Sequence, residues 1–461
     1  MEISLEEICQ IVAGRPSPGR LDQKVRAVAT DSRKAVADSL FVAFVGENVD
    51  GHNYLLDSSR RGAIAALVER ETEAPEGFVT IRVDNTQDAL QRLAAWHRRQ
   101  FNNVQVLGIT GSSGKTTTKE LAAAVLAQEY SVLKTPGNQN NEIGLPMTMF
   151  ALEEEYQWAV LEMGMSAPGE IRQLCWISQP AVGIITNIGV AHMAFLGSKE
   201  AISAAKFELA EDLAPPGLLI LNGDDALQRC RAAGGLPRVE RTVFYGLDPG
   251  NDYRAAKIDS STSGSRFEVH WQGKSILVTL NLPGRHNISN ALAAFAAGVE
   301  LGIPPEKIVL GLAQVRGEVR RGQAFEIRGL TVIDDSYNAN PDSARCALEV
   351  LSSYPPERRK VAFLGDMLEL GEIAPEKHQQ LGADAAANGV ELLVAVGRFA
   401  EHIRRGAIRA GMDGAKVFLW PDSAQAIAAV EFLEPGDVVL VKGSLGIKMD
   451  IIVQYLKDGG Q

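Results

Sequence analysis

The chain has 461 residues, 46% hydrophobic and 22% charged, with 46 basic and 57 acidic side chains and a formal net charge of -11. That length exceeds what one hydrophobic core supports, so two or three domains are expected, and the apolar share excludes a disordered protein. The acidic balance excludes a protein built to neutralise a nucleic-acid backbone: no nucleic-acid partner is expected, and any nucleotide should sit in a local site.

The stretch from Met1 to Glu7 is acidic and carries no cationic start ahead of an apolar run, so no signal peptide is expected. No apolar run approaches the roughly 20 residues that span a bilayer, so no membrane insertion is expected. Cys9, Cys175, Cys230 and Cys346 are scattered without metal spacing and fit reduced, buried thiols. Together these features point to the cytoplasm.

Residues 1–84 mix short apolar runs, such as 39–45, with turn-rich segments, such as 48–53, and read as a small α/β domain. Residues 86–101 carry apolar side chains at helical spacing and predict a linking helix capped by Thr86. From Val104, apolar strands alternate with helices (VQVLGIT, WAVLEMG, AVGIITNI, GLLILNGDD), the pattern of a parallel sheet covered on both faces. Residues 240–282 break that rhythm (RTVFYG, SRFEVHW, SILVTLNL) and predict an antiparallel extension of a central domain spanning 85–316. Strand–helix alternation resumes with LTVIDDS, KVAFLGDM, LLVAVG, KVFLW and DVVLVKGS, which predicts a doubly wound, Rossmann-like domain over 317–461. The predicted fold class is α/β in three domains, the central one a P-loop parallel-sheet domain.

Between the strand ending at Thr110 and the helical stretch from Thr117 lies Gly111-Ser112-Ser113-Gly114-Lys115-Thr116. A glycine-rich turn exposes backbone N–H groups, and with the positive end of the following helix they form an anion site. Lys115 is placed to reach the β- and γ-phosphates of ATP, the Thr116 hydroxyl to ligate Mg²⁺, and Thr117 extends the motif. Ile109 stands where the strict pattern has glycine, so the match is to the shorter GxxGKS/T form. The bland alternative is a glycine turn beside a surface lysine. The loop alone does not choose among GTPases, transport ATPases, kinases and ligases, although the lack of an NKxD motif disfavours a GTPase.

Other segments narrow the choice. The sequence resembles the ATP-dependent Mur ligases of peptidoglycan synthesis in TDSR (30–33), DGH (50–52), GSSGKTTTKE (111–120), GNQNNEIGLP (137–146), EMGMSAPGEI (162–171) and TNIGVAH (186–192). The resemblance continues in AAK (204–206), GRHNISNALAA (284–294), DDSYNANPDS (334–343), LGDMLELG (364–371) and VKGS (441–444), and so covers nearly the whole chain. It implies a ligase that moves the γ-phosphoryl group of ATP onto the terminal carboxylate of UDP-MurNAc-tripeptide. The amine of D-Ala-D-Ala then attacks the acyl phosphate. Such transfer gathers negative oxygens, so catalysis should rest on positioning and electrostatic stabilisation.

The resemblance also implies roles. Lys115, Glu162, His192 and Lys206 form the catalytic set, with Thr116, Glu162, His192 and Lys206 around Mg²⁺, two ions being expected. Glu162 ends an apolar strand, where a carboxylate can hold Mg²⁺; a solvated strand end is the alternative. His192 taken alone reads as an ordinary polar residue. Read from position alone, Lys206 is a helix-surface lysine, whereas the resemblance implies a carbamylated one. Asn138, Asn287, Asn290, Arg321, Asp335, Tyr337 and Asn338 are implied to contact ATP, with Arg320 an alternative to Arg321, and helix capping an alternative for Asn287. Asn140 and Asn141 are implied near substrate, with turn formation as the alternative for both and for Asn138. Ser32, Arg33, Asp50, Gly51 and His52 match the UDP-binding motifs of the first domain, where Asp31 could instead cap a turn. Leu445 departs from the arginine expected after KGS.

A sibling ligase adding diaminopimelate is disfavoured because no DNPR motif occurs, and folylpolyglutamate synthase usually lacks a UDP-binding first domain. An ATP-binding regulatory or transport module would have to treat Glu162, His192 and Lys206 as structure only. The ATP site divided between two domains implies hinge motion, and a monomer is expected.

Overall fold

A computed structural model describes residues 1–46 and 49–459. Asn48, part of the turn-rich segment read above, lies outside the described residues. Three large sheets organise the chain into an N-terminal, a central and a C-terminal lobe, and a two-stranded sheet, Ile3–Ser4 with Lys24–Val25, joins the first.

In the N-terminal lobe, strands Ala27–Ala29, Ser39–Val42, Ala63–Val68 and Val79–Arg82 run parallel, and Arg15–Pro16 adds an antiparallel edge. Helix Leu5–Val12 opens on a capping box: Ser4 Oγ accepts the Glu7 N–H, and the Glu7 carboxylate accepts the Ser4 N–H at 3.0 Å. Its buried Leu5, Ile8 and Val12 join Leu90 and Leu93 of helix Thr86–Arg99 in one core. That linking helix is capped by Asn85, whose Oδ1 accepts the Asp88 N–H at 2.9 Å, and not by Thr86. Thr86 is already helical, and its hydroxyl donates instead to Glu69 at 2.9 Å.

The central sheet has nine strands. From one edge run Val132–Lys134, Trp158–Glu162, Gln105–Thr110, Val182–Ile185, Gly217–Asn222 and Val239–Gly246, all parallel. Tyr253–Ser261 pairs parallel with Val239–Gly246, and the antiparallel pairings are those of Gly264–Trp271 with Tyr253–Ser261 and with Lys274–Leu280. The antiparallel extension expected from residue 240 therefore starts later. Val239–Gly246 reads as alternating because one part of it is exposed while Val243 and Tyr245 enter the core. Helices Lys115–Leu126 and Arg285–Glu300 cover one face, and Glu170–Ser178 with Lys199–Glu211 cover the other. Phe295 packs edge-on against Trp271 at 5.1 Å between ring centres, so truncating it to alanine should cost about 3–5 kcal/mol.

The C-terminal sheet runs Gln323–Ile327, Leu330–Asp335, Val438–Lys442, Lys360–Gly365, Leu392–Val396 and Val417–Trp420, parallel except for the first strand. Parallel sheets gather loops and helix N-termini at the carboxyl ends of their strands. Here Thr110, Glu162 and Ile185 end central strands, while Asp335 and Lys442 end C-terminal ones, and the segments beginning there line one cavity.

Candidate active site between the central and C-terminal lobes

The phosphate loop follows strand Gln105–Thr110 and runs into helix Lys115–Leu126. Its two glycines are required by space: a Cβ on Gly111 would lie 1.8 Å from Thr186 Oγ1, and one on Gly114 2.5 Å from Asn290 Oδ1. Gly114 also has a left-handed φ of 77°. Asn187 braces the loop, its carbonyl accepting the Ser112 N–H at 3.0 Å and its Oδ1 the Ser113 N–H at 2.9 Å. Thr186 Oγ1 donates to the Ser113 carbonyl at 2.6 Å. Lys115 Nζ donates to the Gly111 carbonyl at 2.8 Å, holding the ammonium over its own loop. Desolvation lowers the Lys115 pKa, and the nearby Glu162 charge opposes that shift.

Glu162 is 1% exposed. Its Oε1 accepts from Asn140 Nδ2 at 2.7 Å, whereas Oε2 has no partner among the described residues, and neither has Thr116 Oγ1. A buried oxygen without a partner costs about 1–3 kcal/mol. Two such hard donors at the head of a phosphate loop fit Mg²⁺, which usually takes one or two protein oxygens and completes its shell with phosphate and water. No group of three or more His, Cys, Asp or Glu that could hold a metal occurs among the described residues.

Lys206 departs from its reading as a surface lysine. It lies on the inner face of helix Lys199–Glu211, 1% exposed, because Ile202, Ala205 and Leu209 around it are core residues. Burial first, then the Lys115 charge, push its pKa well below that of an ordinary lysine. His192 lines the cavity with a left-handed φ of 63°.

Across the cleft, the Asp335 carboxylate accepts from Lys442 Nζ at 2.6 Å, and the Asn338 carbonyl accepts from the same ammonium at 2.9 Å. Arg321 lies over the Tyr337 ring, 4.0 Å from its centre, and both line the cavity. Arg320 instead pairs with Asp450 of its own lobe. The cavity holds about 670 Å³ between the phosphate loop, Glu162, His192, Arg321 and Asp335, enough for a nucleotide-sized ligand.

The remaining residues divide. Thr117, Asn140, Asn141, Asn287, Asn290 and Asn338 line the cavity. Asn138 is exposed and does not. Asn141 Oδ1 also accepts the Gly144 N–H at 2.8 Å, closing its own turn. Asn287 is not a helix cap; Gly284 holds that position, and Asn287 Nδ2 donates back to the Pro283 carbonyl at 2.7 Å. Ser32, Arg33, Asp50, Gly51 and His52 lie in the N-terminal lobe, outside this cavity. Lys442, Thr186, Asn187 and Asn340 were not singled out from sequence, although VKGS, TNIGVAH and DDSYNANPDS contain them. Asn340 Nδ2 donates to the Ser112 carbonyl at 3.3 Å, joining the C-terminal lobe directly to the phosphate loop.

A phosphate loop whose cleft is walled by a second parallel-sheet lobe defines a two-lobed, nucleotide-dependent P-loop enzyme. Residues 109–298 match the Mur ligase middle domain, and residues 316–445 match the Mur ligase, glutamate ligase domain. UDP-N-acetylmuramoyl-tripeptide--D-alanyl-D-alanine ligase of Bacillus subtilis is 37% identical over 98% of each chain. The crystal structure of MurF from Acinetobacter baumannii superposes with a TM-score of 0.90 at 33% identity, covering 99% of both chains. MurF from Thermotoga maritima in complex with ADP gives 0.81 at 29% identity, over 94% of this chain and 97% of that one. The chain belongs to the Mur ligase family.

Proposed function

We propose that the chain joins D-alanyl-D-alanine to UDP-MurNAc-tripeptide at the expense of ATP, a step of peptidoglycan precursor synthesis. Full-length similarity to ligases named for that reaction carries the proposal, and the ADP complex of the Thermotoga maritima relative supports ATP as the nucleotide. A carboxylate is a poor acyl donor because its oxygen cannot leave. Transfer of the γ-phosphoryl group forms an acyl phosphate and ADP; the dipeptide amine then attacks the acyl carbon, phosphate departs, and the amine loses a proton.

Lys115 and the loop N–H groups neutralise and orient the phosphates. Thr116, Glu162 and His192 would hold Mg²⁺, which supplies charge neutralisation at the transferring phosphoryl group. Arg321, Asp335, Tyr337 and Asn338 close on the nucleotide from the other side. We assign residues 1–84 to the UDP-linked substrate, with Ser32 and Arg33 as contacts, 85–316 to ATP, and 317–461 to closure of the cleft. The enzyme acts as a monomer in the cytoplasm, where ATP and UDP-linked precursors are found.

Phosphate release should require D-Ala-D-Ala together with the UDP-linked tripeptide. Release that is equally fast with diaminopimelate or lysine in place of the dipeptide would point to the sibling ligase. Release that ignores every peptide would point to a simple ATPase.

Lys206 is proposed to be carbamylated. A buried amine held neutral can attack CO₂, forming an N–C bond and releasing one proton, and the product restores a negative charge near the cationic Lys115. Wild-type protein in ¹³C-bicarbonate should show a carbamate carbon signal that Lys206→Ala lacks. Bicarbonate should not restore turnover to that variant; full turnover in Lys206→Ala would end the assignment.

A further inference from the structure

The segment LGDMLELG ends a C-terminal strand and turns toward the central lobe, yet no step above uses it. Glu369, within it, adopts a left-handed φ of 64°. Opposite stands His192, also left-handed at 63°. A left-handed backbone at a residue other than glycine costs about 1–3 kcal/mol and persists only where surrounding contacts impose it. The contacts here run across the lobe boundary. The Glu369 carbonyl accepts the Ala194 N–H at 2.9 Å, and a Cβ on Gly371 would lie 3.1 Å from Ala194 Cα. His192 Nδ1 lies 2.6 Å from Glu369 Oε2, at an approach too oblique for a full hydrogen bond.

We propose that Glu369 is a positioning residue for the ligase reaction: its carboxylate, carried by the C-terminal lobe, orients the His192 ring of the central lobe only when the lobes are closed. This rests on the reading of His192 as a ligand group of the proposed active site. With Nδ1 turned to the carboxylate, Nε2 remains for the cavity. A ring nitrogen paired with a carboxylate fixes tautomer and orientation of the other, and losing such a partner typically costs about 10–100-fold in activity or metal affinity. Domain closure would thereby set the ring at the same time as it brings Arg321 and Asp335 over the nucleotide.

Glu369→Asn is the decisive variant, because asparagine tolerates the left-handed backbone but is too short to reach the ring. Imidazole ¹⁵N spectra of the full chain with a nonhydrolysable ATP analogue, with and without Mg²⁺, report the His192 tautomer, its signal identified by its loss in His192→Asn. In wild type the His192 signal should be that of a single tautomer protonated at Nδ1. In Glu369→Asn it should average between tautomers, with kcat down about 10–100-fold and KM for ATP unchanged. Glu369→Gln, which can still accept from Nδ1, should recover part of kcat. The double variant should be no slower than His192→Asn alone.

An unchanged His192 signal and kcat in Glu369→Asn would overturn the inference. So would an equal slowing by Glu369→Asn in the wild-type and His192→Asn backgrounds, the result expected of a latch that only joins the lobes. If His192→Asn itself turns over like wild type, the ligand reading of His192 falls and takes this inference with it.

Discussion

The cleft and the corner of the N-terminal lobe carry similar residue types, yet their polar atoms behave in opposite ways. In the corner, Asp31 accepts the Arg33 N–H at 3.0 Å and pairs with its guanidinium at 2.7 Å. Asp50 accepts the His52 N–H at 3.0 Å and lies 2.7 Å from His52 Nδ1, while His52 Nε2 accepts the Glu69 N–H at 3.0 Å. That second bond fixes the proton on Nδ1, so Asp50 and His52 satisfy each other and shape the turn. In the cleft, Glu162 Oε2 and Thr116 Oγ1 are buried with their capacity unused by the chain. Self-satisfied motifs hold shape; unsatisfied ones facing a cavity do chemistry.

The largest effect should come from testing that contrast directly. Glu162→Gln removes the negative charge proposed to hold Mg²⁺ at the transferring phosphoryl group and should lower kcat on the order of 10²–10³-fold. Its melting temperature should hold or rise, since a desolvated carboxylate with one unused oxygen is lost. His52→Ala should do the reverse, costing about 1–3 kcal/mol of stability by leaving the Glu69 N–H unpaired, while Asp50 keeps Arg70 and the residue 52 N–H, with kcat kept in the folded fraction. Phosphate release and thermal melting measured on both variants check the pair. If both lose the same property, unused hydrogen-bonding capacity does not separate site from scaffold.

His97 sharpens the rule, because its Nε2 is also buried without a partner but faces Phe101 and Phe150 instead of the cavity. Burial, with the positive amino terminus of Met1 second, lowers its pKa from 6.5 to about 4. Above pH 6.5 both folded and unfolded states hold it neutral, and its contribution to stability is fully present. As pH falls from 6.5 toward 4, the unfolded chain binds a proton that the folded chain refuses. Stability drops by up to about 3 kcal/mol and levels off below that range. Urea midpoints measured from pH 7 to pH 4 should fall less steeply in His97→Gln than in wild type, and parallel slopes would remove His97 from the acid response. An orphaned atom thus marks a reactive site only when it converges on a cavity with others.

Much of this was legible in the sequence for identifiable reasons. Strands such as Trp158–Glu162, buried on both faces, read as continuous apolar runs, and glycines at 111 and 114 mark a tight turn where a Cβ would meet the Thr186 and Asn290 side chains. Val239–Gly246 misled because a partly exposed parallel strand alternates like an antiparallel one. Lys206 misled because a charged residue type suggests a solvated face, whereas the helix turns that position inward. Thr86 was favoured as a cap on residue type, while Asn85, one position earlier, has the extended backbone that a cap requires. The Asp335–Lys442 pair and the Glu369–His192 contact join residues far apart in the chain, and no local pattern encodes such partners.

The smallest effect returns to the corner. Arg33 is its exception: the side chain is 79% exposed, and although its guanidinium is forked on Asp31, that pair sits in water, where ion pairs add little to stability. Its Nη1 makes no hydrogen bond among the described residues and remains able to meet a phosphate. Arg33→Ala should therefore leave melting temperature and kcat unchanged while raising KM for the UDP-linked tripeptide about 10-fold, the worth of one charge-assisted hydrogen bond. KM for ATP should stay the same, since Arg33 lies outside the cleft. Steady-state kinetics with each substrate varied in turn decides it. A melting temperature that falls while both KM values hold would place Arg33 with Asp50 and His52, as scaffold, and leave the UDP moiety to be bound by other residues of that lobe.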